Sequence, residues 1–361
     1  MPKSKLRVGI IGCGGIAEGK HLPSLTRLKD VELVSFCDII KERADKAAAQ
    51  YGVKGSTVYL DYEKMLSKEN LDVVHVLTPN NLHSPMTVAA LEAGAHVMCE
   101  KPMAKTAEEA RAMLAAAQKT GKKLTIGYQT RQAAEMQYAK KICERGELGD
   151  IYYARAEAVR RRAVPTWGVF LDEEKQGGGP LIDIGTHALD LTMWLMNNYE
   201  PKMAVGTTYR KLAPRKNAAN AWGPWDPKKF TVEDAAFGFI TFKNGATVNL
   251  EATWAINYLH VGEARCVLCG SEAGIDFHDG LRINGEKDSR LYITKPDFSA
   301  GGVAFYEGAS TRPEHEEARQ WIEAIIKDKN PTVLPEQALK VTEILEAIYT
   351  SARTGEPVYF K

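Results

Sequence analysis

A chain of 361 residues is longer than one hydrophobic core ordinarily organises, so two domains are expected. Hydrophobic residues make up 44%, enough for substantial cores. The 47 Lys plus Arg against 46 Asp plus Glu leave a net charge of +1, which argues against nucleic-acid or anionic-membrane partners. No stretch is long and apolar enough to span a bilayer, and residues 1–5 run into a strand pattern without the apolar core of a secretory signal. Six scattered cysteines fit reduced thiols, so a cytoplasmic protein is expected. Cys266 and Cys269 form one C-x-x-C with no second Cys or His pair, so no metal site is expected.

In chain order, strand patterns at residues 6–11, 31–37, 72–77, 96–99 and 123–128 alternate with helical ones at 40–51, 85–93 and 107–120. That alternation implies crossover connections and a doubly wound parallel sheet. Past residue 128 the pattern changes. A helix at 135–145 and a strand at 151–159 precede the run Gly177-Gly178-Gly179-Pro180, which leads into a helix reaching about residue 197. Strands follow without helices between them, at 203–209, 235–242, 247–255, 264–270 and 291–294. Asn244-Gly245 marks a hairpin between two of them. The fold class is therefore α/β: a doubly wound domain over 1–128, then an α+β domain over 129–335 with a large, mostly antiparallel open sheet. Residues 336–361 form a last helix and tail packing back toward the first domain, and 212–230 form a long irregular loop of the kind that often carries function.

Gly12-Cys13-Gly14-Gly15-Ile16-Ala17 follows the first strand and opens a helical stretch, matching the G-x-G-x-x-A dinucleotide fingerprint of a Rossmann domain. Gly12 allows the tight turn, Gly14 close approach of the backbone to a pyrophosphate, and Ala17 close packing of helix on sheet. Gly15 and Ile16 then offer N–H groups at the helix start. Asp38 ends the second strand about 20 residues further on, where an acid reaches the ribose hydroxyls and repels a 2′-phosphate. NAD is expected over NADP, although Lys41 and Arg43 lie nearby.

Three further segments are Thr78-Pro79-Asn80-Asn81-Leu82-His83, Glu100-Lys101-Pro102, and Gly178-Gly179-Pro180-Leu181-Ile182-Asp183-Ile184-Gly185-Thr186-His187. Together, in this order, they resemble the glucose–fructose oxidoreductase/inositol 2-dehydrogenase (Gfo/Idh/MocA) family, and the likeness extends over essentially the whole chain. The resemblance implies that Lys101, Asp183 and His187 are catalytic, that Thr78, Asn80, His83 and Glu100 line the cofactor groove along with Lys101, and that the Lys101–Pro102 bond is cis. It also implies a homo-oligomer formed through the open face of the second sheet. The segment from Val159 to Trp167 and the glycine run look most like a branch that oxidises carbon-3 of glycosides.

The residues agree with that chemistry. Oxidising a secondary alcohol needs a base for the hydroxyl proton, and an imidazole such as His187 suits that task. Asp183 stands four residues before His187, on the same helical face, where it can steady an imidazolium or hold a substrate hydroxyl. Lys101 follows a parallel strand at its carboxyl end, where open α/β sheets bind ligands, and its ammonium can stabilise an alkoxide. The glycine run would let backbone pass close to cofactor or sugar. Tyr128, Gln129 and Arg131 leave the last strand of the first domain; Gln129 is expected at the cofactor, Tyr128 and Arg131 at the substrate. Arg162, within Arg160-Arg161-Arg162, and Trp167 are further substrate candidates, with Trp222 and Trp225 able to stack or simply to pack. The reading is an NAD-dependent dehydrogenase of a ring hydroxyl on a sugar, glycoside or polyol. Its alternatives are an NAD-dependent glycosidase using transient carbon-3 oxidation, and a non-enzymatic NAD-responsive binding protein, against which an intact proton-transfer set argues.

Overall fold

The computed structural model describes residues 5–298 and 312–361. The chain divides into two compact units, Met1–Gln129 with Thr311–Leu339, and Thr130–Ser310 with Lys340–Lys361.

The first unit carries a six-stranded sheet: β1 (Leu6–Ile11), β2 (Val31–Cys37), β3 (Thr57–Tyr59), β4 (Val73–Val76), β5 (His96–Cys99) and β6 (Leu124–Ile126). All pairings are parallel, in the order β3-β2-β1-β4-β5-β6, with the strand order reversing between β1 and β4. Ligands of doubly wound sheets bind outside the strands' carboxyl ends at such a reversal. Buried strands explain the near-continuous apolar runs in β1, β2 and β4. β3 escapes sequence reading because it is three residues long and half-exposed throughout. Thr106 and Asp61 cap the helices Ala107–Thr120 and Tyr62–Lys68 by accepting backbone N–H bonds, worth about 1 kcal/mol each.

Sequence order alone assigns residues 129–335 to the second domain, but the helix Pro313–Ile326 belongs to the first unit. Its Ala318, Trp321 and Ile322 join Leu22, Leu25, Val8, Ile10 and Phe36 in one buried cluster. The boundary is set by that apolar face, which only spatial neighbours reveal.

The second unit is built on β7 (Ile151–Val159), β8 (Pro201–Tyr209), β9 (Ala235–Phe242), β10 (Thr247–Thr253), β11 (Gly262–Gly270), β12 (Ala273–Asp276), β13 (Arg282–Lys287), β14 (Arg290–Thr294) and β15 (Val358–Tyr359). Their order is β14-β13-β12-β11-β7-β10-β9-β8-β15, antiparallel except for β10 on β7. The helix Thr186–Met196 packs on β7 and β11 and is buried almost all round. Cys266 and Cys269 lie three apart in β11 and so point to opposite faces, Cys266 buried and Cys269 partly exposed.

Arg131 is a correction to the sequence reading. Its guanidinium is wholly buried and grips Asp190 of that helix through Nε to Oδ2 at 2.8 Å and Nη2 to Oδ1 at 2.6 Å, with its charge over the Trp194 ring at 5.5 Å. A side chain so enclosed holds the unit together instead of meeting substrate. Burial pushes the Asp190 carboxyl up against the pull of Arg131. Asp190→Ala, which strands the guanidinium, is expected to lower unfolding free energy by about 3–5 kcal/mol in urea titrations. The double change Arg131→Met, Asp190→Leu should recover most of that loss.

Candidate active site

The fingerprint turn is built as its sequence demands. Gly12 has φ +93°, and an added Cβ would lie 2.5 Å from the Leu77 carbonyl oxygen. At Gly14 and Gly15 an added Cβ would meet nothing within 4 Å, so the backbone there faces open space. Ile16 is exposed and the helical run begins at Ala17 with a π turn, Ala17–His21, continuing as α-helix Leu22–Leu25. Asp38 accepts from Cys13 N and Ile40 N, both at 2.8 Å, tying the turn to the end of β2. A carboxylate has about four acceptor positions, so Asp38 can still receive ribose hydroxyls. These residues fit a dinucleotide: an open backbone cradle with an acid at its flank.

Behind Lys101 lies a buried polar network that the sequence reading missed. Glu100 Oε1 lies 2.7 Å from both Lys20 Nζ and His21 Nε2, and Glu100 Oε2 accepts from the backbone N of Lys101 at 3.1 Å. Lys20 also reaches Glu317 Oε2 at 2.9 Å and Gln129 Oε1 at 3.1 Å. Burial favours a neutral Lys20, but the carboxylates of Glu100 and Glu317 outweigh it and hold the ammonium protonated. Burial likewise opposes ionised Glu100, and Lys20 and His21 overcome it, keeping that carboxyl well below its usual range. Burial keeps His21 and His75 neutral. His21 then donates from Nε2 to Glu100, and His75 donates from Nδ1 to His21 Nδ1 at 3.1 Å. Glu100, expected in the cofactor groove, is thus an enclosed anchor for the backbone that carries Lys101. The Lys101–Pro102 peptide is cis.

His83 departs from expectation in the same way. It is 1% exposed, with Nδ1 2.7 Å from the Pro102 oxygen and Nε2 2.9 Å from the Thr78 oxygen, so it ties the turn after β4 to the turn after β5. Asn80 is buried and Thr78 partly exposed beside Gly12. Tyr128 is fully buried, which removes it from any surface open to substrate.

In the second unit, Asp183 lies in a π turn, Leu181–Gly185, that runs directly into the helix Thr186–Met196 bearing His187. Such turns often mark functional positions. Asp183 is 7% exposed and accepts from Trp254 Nε1 at 3.1 Å. The start of the segment is clamped by Glu233, which accepts from Gly179 N at 2.8 Å, Leu181 N at 3.2 Å and the Tyr349 hydroxyl at 2.8 Å. An added Cβ on Gly178 would overlap the Tyr349 hydroxyl, and one on Gly179 the Glu233 backbone oxygen. The glycine run therefore makes room for the protein's own clamp, where cofactor or sugar was expected. Burial pushes the Glu233 carboxyl up to about 7.

Arg162, a substrate candidate, donates to the Arg161 and Ile256 carbonyls at 2.6 and 2.7 Å and to Asn257 Oδ1 at 2.5 Å, pinning a neighbouring loop. Trp167 is half-exposed.

Two family models match the chain: an oxidoreductase family NAD-binding Rossmann fold over residues 6–128, and an oxidoreductase family C-terminal alpha/beta domain over 140–360, both of the Gfo/Idh/MocA group. The chain belongs to the Gfo/Idh/MocA oxidoreductase family. As a member of it, the protein is an NAD-binding oxidoreductase. It is 41% identical over 364 residues to a D-glucoside 3-dehydrogenase of Escherichia coli (strain K12), covering 99% of this chain and 98% of that one. Among solved structures it is similar to an aldose-aldose oxidoreductase from Caulobacter crescentus complexed with glycerol, with TM-score 0.79 and 26% identity over 99% of this chain and 100% of the other. A levoglucosan dehydrogenase complexed with NADH shares the fold at TM-score 0.80 and 24% identity, over 99% and 100% of the two chains.

Two predictions follow from the local geometry of this oxidoreductase. Gly12→Ala combines a left-handed φ with a backbone clash, a strain of about 1–3 kcal/mol, and should weaken NADH binding in fluorescence titrations while β1 and β2 stay folded. Glu233 has a folded pKa above the ordinary carboxyl value, so its stabilising contribution is complete below about 4.5 and is lost as pH rises through about 7. The melting temperature of Glu233→Gln relative to the unsubstituted protein should therefore rise between those two pH values.

Proposed function

We propose that the protein oxidises a secondary ring hydroxyl of a sugar or glycoside, carbon-3 of a glucoside being the leading position because the Escherichia coli relative carries that name. The observation that carries the reading is the fitted dinucleotide cradle, with Gly14 and Gly15 facing open space beside Asp38, in a chain that also keeps Lys101, Asp183 and His187. The first unit carries the nucleotide turn and Lys101, and the second carries Asp183 and His187.

When bound, NAD supplies the acceptor for the hydride. The protein's residues handle the proton and the orientation. His187 takes the hydroxyl proton, and Asp183, aimed by the Trp254 indole, holds an adjacent hydroxyl and favours the imidazolium. Lys101, its backbone fixed by Glu100, sets an ammonium where alkoxide charge develops. Gln129 and Thr78 border the nucleotide, and Asp38 receives its ribose.

The protein acts in the cytoplasm as a homo-oligomer. Support for assembly comes from the second sheet, whose face opposite the buried Ala154 and Ala156 carries exposed Phe239, Leu291, Ile293 and Tyr359. No helix among the described residues is long and apolar enough to cross a membrane.

A panel of sugars and glycosides, followed by NADH absorbance, tests the activity. Net NADH accumulation is expected with at least one glycoside. Lys101→Ala and His187→Ala should each retain NADH binding and lose about 10²–10⁴ in kcat; full turnover in either removes that residue from the chemistry.

A further inference from the structure

Lys20 joins three segments of the first unit at the end of the sheet where ligands of this fold bind. It lies in the π turn Ala17–His21, just past the glycine turn, and is buried. Its ammonium reaches Glu100 Oε1 at 2.7 Å and Gln129 Oε1 at 3.1 Å. Glu100 follows β5 and Gln129 follows β6, so one side chain links the residues beyond the carboxyl ends of β1, β5 and β6. His21, the next residue, meets the same Glu100 oxygen at 2.7 Å, and Glu100 Oε2 accepts from the Lys101 backbone N at 3.1 Å. Successive side chains of a regular α-helix point about 100° apart; in this π turn two of them reach a single oxygen. Gly127 leaves room for the carboxylate, since an added Cβ would lie 3.1 Å from Glu100 Oε1 and 3.3 Å from Oε2.

A buried ion pair is a poor device for stability alone, because apolar side chains of similar volume often serve as well or better. What it adds is direction. Two donors on Oε1 fix the plane of the Glu100 carboxylate, and Oε2 is thereby aimed at the Lys101 amide. Glu317, on the helix Pro313–Ile326, also holds the Lys20 ammonium, at 2.9 Å. The bonds from Lys20 through Glu100 to Lys101 therefore set where the Lys101 backbone stands relative to the glycine turn.

We propose that Lys20 is a positioning residue for the oxidation: it orients the Glu100 carboxylate and, through it, the backbone of Lys101. The proposal rests on the reading of Lys101 as the group that meets alkoxide charge. A displacement of about 1 Å at a reacting group costs about a hundredfold in rate. The cofactor's expected contacts, at Gly14, Gly15 and Asp38, are made by other residues, so loss of Lys20 falls on turnover and spares cofactor affinity.

The test uses Lys20→Met in the full-length protein. That change leaves two buried carboxylates short of a cation, so Lys20→Met with Glu317→Leu, which removes a cation and an acid together, is the second variant. Both are assayed with NAD and methyl D-glucoside, alone and in the Lys101→Ala background. In each, kcat should fall about tenfold to a hundredfold, with KM for the glucoside and NADH affinity unchanged. The loss should vanish in the Lys101→Ala background, because a residue acting through Lys101 has nothing left to place. Hydrogen exchange at the Lys101 amide should quicken in both variants while β1 and β4 stay protected. Undiminished kcat, an equal loss with and without Lys101, or a loss confined to NADH binding would overturn the proposal. So would unchanged exchange, or a lower melting temperature with kcat intact, which assigns Lys20 to stability alone. If methyl D-glucoside is not oxidised, the exchange rate decides by itself. Full turnover in Lys101→Ala together with quickened exchange in Lys20→Met defeats the reading of Lys101 and leaves the hold of Lys20 on that turn standing.

Discussion

A buried or partly buried carboxylate bonded to backbone N–H holds each turn that carries a candidate site residue. Asp38 accepts from Cys13 and so fixes the glycine turn at the end of β1. Glu100 accepts from Lys101. Glu233 accepts from Gly179 and Leu181 and so fixes the segment that leads to Asp183 and His187. A carboxylate taken out of water is costly unless its acceptor positions are filled, so each of these acids strongly constrains the backbone it touches. Rigid placement of this kind is what a proton-transfer site needs, because small displacements of reacting groups cost large factors in rate.

The three acids are compensated differently, and the difference shows in their charge. Glu100 faces the Lys20 ammonium and the His21 ring, and stays ionised in spite of burial. Glu233 faces amides and a tyrosine hydroxyl but no cation in those contacts, and burial lifts it toward neutrality. Glu317 shares Lys20 with Glu100, and burial pushes it up to about 7 as well. One ammonium between two carboxylates leaves the second less fully paired.

The same economy of contacts explains the residues that left the expected site. Arg131, His83 and Tyr128 have the chemistry of binding groups, but each is enclosed. A fully buried guanidinium must find a carboxylate, and Asp190 meets it. Trp167 and Trp222 are the opposite case: they pack edge to face and keep large apolar surface in water.

Local signals carried much of this protein. Short apolar runs, helical patterns, the glycine turn and the spacing to Asp38 are properties of short chain segments, so β1, β2, the helix Ala107–Thr120 and the NAD fingerprint were legible without coordinates. Tertiary structure decided what depends on partners distant in the chain. Lys20 meets Glu100 and Glu317, Arg131 meets Asp190, and Gly178 and Gly179 make way for Tyr349 and Glu233. Whether a charged side chain reaches ligand or locks the fold is set by burial and pairing, and neither is encoded in the spacing of nearby residues.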